Sequence, residues 1–159
     1  MRTLVVYASR YGCTADCAHY LKAHLPGDVT VLDVEAVNPP LDLWSFDTLA
    51  IGGSVYVGKV SKKLRAFCET NLDLLLQKRV GIFLCCAQTD QADAFLASNF
   101  PTALVSHAAT SKVLGSEARL DKMRTMDKLI IKAVTKGDFS SFQISSETLD
   151  AFVRELSSP

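Results

Sequence analysis

A chain of 159 residues, 48% apolar and 21% charged, is long enough to bury one hydrophobic core and too apolar to stay disordered. Its 17 Lys and Arg balance 17 Asp and Glu, which removes any general electrostatic case for nucleic acid or an anionic membrane as partner. Cys13, Cys17, Cys68, Cys85 and Cys86 make an odd count with one adjacent pair, which does not suit a disulfide framework. With no signal peptide and no apolar run of bilayer length, a reduced cytoplasmic setting is expected.

Thr3 to Ala8 is an apolar, β-branched run of the kind that forms a strand buried on both faces. Ser9-Arg10-Tyr11-Gly12-Cys13-Thr14 follows, and a helical pattern then runs from Thr14 to His24. Such a junction gathers backbone N–H groups and the positive end of a helix dipole around a concave turn, which suits a phosphate. Ser9, Tyr11 and Thr14 can add hydroxyl donors, and Gly12 permits positive φ. An ordinary strand-to-helix turn has the same composition, so the two readings stand side by side at this point. Cys13 and Cys17 lie one helical turn apart. That spacing can hold a metal or a redox pair, but His19, His24 and His107 form no spaced partner set, so the cysteines read as small buried thiols and no metal site is expected.

Val29 to Val34 alternates enough for a half-covered strand near a sheet edge, and Asn38-Pro39-Pro40 excludes regular structure after it. Phe46 to Gly52 reads as a third strand, with Gly53-Ser54-Val55-Tyr56-Val57-Gly58 as the loop beyond. Ser61 is the expected N-cap of a helix reaching Gln77, closed by Lys78 and Arg79 with the charge sign its dipole favours. Val80 to Cys86 is a fourth strand, in which alternation sends Cys85 and Cys86 to opposite faces. After the loop Ala87-Gln88-Thr89-Asp90 come a helix from Gln91 to Phe100, a restart at Pro101 and a fifth, edge-like strand, Thr110 to Leu114. A charged segment from Ser116 to Lys136 has an apolar stripe from Leu120, and Ser146 is the expected cap of a last helix over Glu147–Leu156.

Strands alternating with helices imply an α/β domain spanning 1–159, with a doubly wound, five-stranded parallel sheet of order 2-1-3-4-5 and an extra helical segment after strand five. A ligand of such a sheet sits outside the carboxyl ends of the strands, which gathers the loops after strands one, three and four. Gly53 to Gly58 offers flexible backbone, one hydroxyl and the ring of Tyr56, which can stack on a planar heterocycle. Ala87, Gln88, Thr89 and Asp90 can add backbone donors and an amide. A phosphoryl receiver would need acidic residues after strand one, where Ser9 and Arg10 stand, and G-x-G-x-x-G is also missing. No side chain presents itself as a general base.

Ser9-x-Tyr11-Gly12-x-Thr14 after an N-terminal strand resembles the phosphate loop of flavodoxins, usually Thr/Ser-x-Thr-Gly-x-Thr. The resemblance implies FMN as cofactor, with its phosphate on Ser9, Arg10, Tyr11, Gly12, Cys13 and Thr14. It places the flavin ring among Gly53, Ser54, Val55, Tyr56, Val57 and Gly58, with Ala87, Gln88, Thr89 and Asp90 alongside. Within that family the opening Met1 to Thr14, the loop Ile51 to Lys59 and the insertion after strand five are similar to menaquinone-dependent protoporphyrinogen IX dehydrogenases. That branch implies a porphyrinogen substrate and a quinone acceptor, at most peripheral membrane contact, and Arg119, Arg124 and Lys128 as groups meeting substrate or partner. An electron-transfer flavodoxin serving a protein redox partner is the alternative.

Overall fold

The computed structural model describes residues 1–36, 42–115 and 144–159. Five parallel strands form one sheet in the order β2-β1-β3-β4-β5: β1 (Arg2–Ala8), β2 (Asp28–Asp33), β3 (Thr48–Ser54), β4 (Arg79–Cys85) and β5 (Thr110–Gly115). Helix α1 (Cys13–His24) and the last helix, α6 (Ser146–Ser157), cover one face. The other carries α2 (Lys62–Thr70), α3 (Leu72–Leu75), α4 (Ala92–Asn99) and α5 (Thr102–His107). The strand order and the two helical layers are those the sequence predicts. The extra helical segment expected at 116–136, and the irregular stretch at 38–40, fall outside the described residues.

The two-residue period of the strands divides the core into two layers. Leu4, Val6, Leu49, Ile51, Ile82 and Leu84 face the α2–α5 layer, where Leu64, Cys68, Leu75 and Leu104 meet them. Val5, Tyr7, Ala50, Phe83 and Cys85 face α1 and α6, against Cys17, Ala18, Leu21, Leu149, Phe152 and Leu156. Most of these side chains are fully buried, and each large one contributes about 1.5–3 kcal/mol relative to exposure. Cys85 and Cys86 do part to opposite faces, and both are free thiols.

Most strand ends shift by one or two residues, and four differences from expectation have a local reason. Strand β3 runs on through Gly53 and Ser54, because both still pair with β4, opposite Leu84 and Cys85. The helix expected to reach Gln77 breaks at Asn71, whose side-chain amide donates to Phe67 O at 2.9 Å and competes with the helical ladder. The cap of α6 is Ser145 rather than Ser146, its hydroxyl accepting from Thr148 N–H at 3.1 Å. Arg79 closes a different helix from the one predicted. As the first residue of β4 it donates through Nε to Leu156 O and through Nη2 to Glu155 O, both at 2.7 Å, at the carboxyl end of α6.

Gly52 leaves room for a ring of its neighbouring strand in the second layer. A Cβ there would lie 2.0 Å from Cζ of Phe83, a fully buried ring that packs edge-on to Phe152 with centroids 5.6 Å apart. Gly52→Ala is therefore expected to destabilise the protein by about 1–3 kcal/mol through overpacking, read as a lower urea midpoint at unchanged slope.

Candidate functional site

Strand β1 delivers the chain to Ser9, and the loop beyond it folds back on itself: the Gly12 N–H donates to Ser9 Oγ at 2.9 Å. Gly12 has φ of 96°, the left-handed conformation that glycine adopts without strain, and it is the N-cap of α1. The first helical hydrogen bond is Asp16 N–H to Gly12 O, 3.0 Å, so the amides before it have no carbonyl to meet within the helix. They define the positive end of α1.

A neighbouring strand pins this loop. Ser54, the last residue of β3, has its hydroxyl 2.5 Å from that of the fully buried Thr14, and it accepts from the Arg10 N–H at 3.5 Å. The loops after β1 and β3 thus share one polar seam. Arg10 leans across it: Nε donates to Tyr11 Oη at 3.2 Å, and the guanidinium carbon lies 3.8 Å from the centroid of the Tyr56 ring and 5.5 Å from that of Tyr11. These are cation–π distances.

Beyond Val55, residues 56–59 close a tight hairpin in which Tyr56 and Lys59 exchange N–H···O bonds of 2.9 and 3.0 Å. Val57 and Gly58 at its tip both have positive φ, 49° and 76°. Two left-handed central residues define the mirror-image turn that suits the twist of a two-stranded ribbon, and that turn favours Asn-Gly over Val-Gly. The buried side chain of Asn99 in α4 holds the hairpin from below. Its Oδ1 accepts from Val60 N–H at 2.9 Å, and its Nδ2 donates to Gly58 O at 3.0 Å and Phe95 O at 2.9 Å.

Between the two loops opens a cavity of about 450 Å³. Ser9, Arg10, Ser54 and Tyr56, from the two loops that the sequence singles out, line it, and so do Glu35, Lys59, Ser61 and Lys62, which sequence reasoning did not single out for this cavity. Ser61 is the cap of α2, as expected, and its hydroxyl also donates to the Glu35 carboxylate. Three cations against one carboxylate give this mouth a positive balance, suited to an anion. Tyr11, Gly12, Cys13 and Thr14 stand beside the cavity at the start of α1, and Val55, Val57 and Gly58 frame the hairpin. Ala87, Gln88, Thr89 and Asp90 are not in its lining. They follow β4, where the Gln88 N–H donates to Cys86 Sγ at 3.4 Å and residues Thr89–Gln91 form a 3-10 turn. Arg119, Arg124 and Lys128 lie outside the described residues.

Below the loop, Cys13 and Cys17 are joined by Cys85, a partner that sequence spacing did not reveal. The three sulfurs lie within 4.8 Å of one another, with Cys17 and Cys85 at 3.8 Å. Hydrogen bonding to Cys13 and burial push the Cys17 thiol up to about 12, and bonds to both neighbours together with burial raise Cys85 well above its ordinary value. At neutral pH Cys17 and Cys85 are thiols, not nucleophilic thiolates.

The architecture defines the class: an open, doubly wound α/β domain with a helix start at its topological switch point. Residues 4–143 match the family model of the flavodoxin domain, so the chain belongs to that family. No curated protein matches the sequence. Among solved structures, it is similar to a flavodoxin from the domain Archaea, 15% identical, covering 99% of this chain and 94% of that one with a TM-score of 0.58. It is also similar to Flavodoxin 1 of Bacillus cereus, at 12% identity, 98% and 97% coverage and TM-score 0.58. Rubredoxin oxygen:oxidoreductase of Desulfovibrio gigas matches at 11% identity and TM-score 0.58; 99% of the present chain spans only 37% of that protein. The shared fold is the flavodoxin-like one. Among the described residues no helix is long and apolar enough to cross a membrane.

Val57, at 71% exposure and φ 49°, carries a left-handed penalty that a β-branched residue meets poorly. Val57→Asn should therefore stabilise the protein by about 1 kcal/mol, read as a higher urea midpoint.

Proposed function

We propose that residues 1–159 form a single FMN-binding redox domain, with the phosphate at the start of α1 and the flavin ring towards the cavity beside Tyr56. The observation that carries this reading is the seam Gly12–Thr14–Ser54, which fixes a helix N-terminus and two hydroxyls around one concave turn. The donor set fits a phosphate monoester: backbone N–H groups, Ser and Thr hydroxyls, the Arg10 guanidinium, and no carboxylate among residues 8–15. Tyr56 supplies an aromatic wall and Arg10 a cation beside it. Membership of the flavodoxin family and similarity to flavodoxins over nearly the whole chain support the same cofactor. FMN, when bound, supplies one- and two-electron transfer; the chain binds it, orients it and sets the charge around it.

Residue by residue, Ser9 and Gly12 hold the loop closed, Thr14 and Ser54 orient the helix start, and Asn99 fixes the hairpin that carries Tyr56. Thr14→Ala is expected to weaken FMN by about 1–3 kcal/mol, in a titration following flavin absorbance or fluorescence, if one charge-assisted hydrogen bond is lost. Equal affinity would remove Thr14 from the phosphate site. Absence of FMN binding to the unsubstituted protein would refute the cofactor.

The finer reading is an oxidoreductase of the protoporphyrinogen IX dehydrogenase type, passing electrons from a porphyrinogen to a quinone. Its support is the resemblance of Met1 to Thr14 and of Ile51 to Lys59, together with the cations of the segment after β5 and the positive balance of Arg10, Lys59 and Lys62 at the cavity, which suits propionates. Replacing Arg119, Arg124 and Lys128 together with Gln should leave FMN affinity intact and lower turnover of the porphyrinogen with a quinone acceptor. If the unsubstituted protein shows no turnover, the domain is better read as an electron carrier for a protein redox partner.

A further inference from the structure

The thiol groups of the cluster below the phosphate loop have no part in the redox reading. Cys13 opens α1, Cys17 lies one turn on, and Cys85 ends β4 across from them, at 6, 3 and 2% exposure. Their sulfurs lie within 4.8 Å of one another, with one edge of the triangle at 3.8 Å. Three sulfurs held at about 2.3 Å stand roughly 3.8–4.0 Å apart around a tetrahedral or planar ion and roughly 3.3 Å apart around a pyramidal one, so the triangle must close by about 0.5–1.5 Å per edge to hold the latter. Among the described residues no histidine or carboxylate joins the group as a fourth ligand.

Charge selects the ion. Three thiolates around monovalent copper leave two negative charges in a buried site, and around zinc they leave one, with zinc's fourth position left to a water. The exposed carboxylate of Asp16 opposes any such excess, and the positive end of α1, where Cys13 stands, offsets only about half of one charge. A soft centre suits thiolate ligands; a trivalent one also cancels three of them, and the lone pair it keeps stands in its fourth position. We propose that Cys13, Cys17 and Cys85 form a closed three-thiolate site for a soft trivalent ion of the arsenic(III) or antimony(III) class.

Arsenous acid, As(OH)₃, would enter by ligand exchange. Three As–O and three S–H bonds break, three As–S and three O–H bonds form, three waters leave, and no oxidation state changes. Protons leave with the hydroxides, so the product is as neutral as the thiols it replaces. The ion would tie the first turn of α1, and with it the phosphate loop, to the end of β4. The adjacent Cys85–Cys86 pair is not the site, because its sulfurs face opposite sides of the sheet.

The test is native mass spectrometry of the reduced full chain after arsenite treatment and removal of excess. One arsenic with loss of three protons is expected, absent from Cys13→Ser, Cys17→Ser and Cys85→Ser and present in Cys68→Ser and Cys86→Ser. Arsenic K-edge absorption on the unsubstituted protein, which does not depend on how the variants fold, should show three sulfur neighbours. The proposal is overturned if no arsenic is retained, if two sulfurs and an oxygen surround it, or if any one of the three Ser variants keeps the adduct. It is equally overturned if Cys86→Ser loses it, or if zinc or monovalent copper is held and arsenite is not. None of these readouts requires FMN, so the outcome is separate from that of the redox reading.

Discussion

The crevice exists because β1 and β3, adjacent in the sheet, send the chain to opposite faces. After β1 it turns into α1 on the face shared with α6, and after β3 it passes through the hairpin to α2 on the other. Two parallel strands whose continuations diverge leave a gap at their carboxyl ends that neither helix covers. The gap is polar because backbone groups at strand ends and helix starts meet there, and it stays open because the seam between Thr14 and Ser54 fixes both walls. Every other part of the site is placed relative to that seam.

Much of this was legible from residues alone, where the governing physics is local. The apolar runs of β1 and β4 announce strands covered on both sides, and Gly12 after a hydroxyl-rich turn announces the helix start. Tyr56 and Ser54 are recognisable as candidates to line the cavity because they sit in a glycine-bounded stretch that the topology brings to the first loop. Boundaries were less legible. Gly53 and Ser54 read as loop, since glycine and serine are poor strand formers, yet pairing with β4 keeps them in the sheet.

What escaped the sequence depends on contacts between distant segments. Arg79 reads as the cationic end of its own helix, and its fork instead meets carbonyls more than seventy residues away, in α6. Asn99 looks like one more residue of an amphipathic helix; the signal that could have singled it out is a short amide on an otherwise apolar face, where burial obliges it to find partners. Cys85 shows no spacing relation to Cys13 and Cys17, because a strand and a helix from different βαβ units bring them together. Glu35 and Lys62 enter the cavity through the ends of β2 and α2, which have no composition to distinguish them from any surface.

The amide tether from α4 to the hairpin also links two motions. Asn99 is buried and has committed its side chain to Val60 N–H, Gly58 O and Phe95 O, so the hairpin cannot lift away without stripping an amide that water does not reach. The wall that carries Tyr56 is therefore only as rigid as the helix beneath it. Fraying of α4 would release that wall, and the rate at which the Val60 amide exchanges its proton with solvent records how often α4 opens.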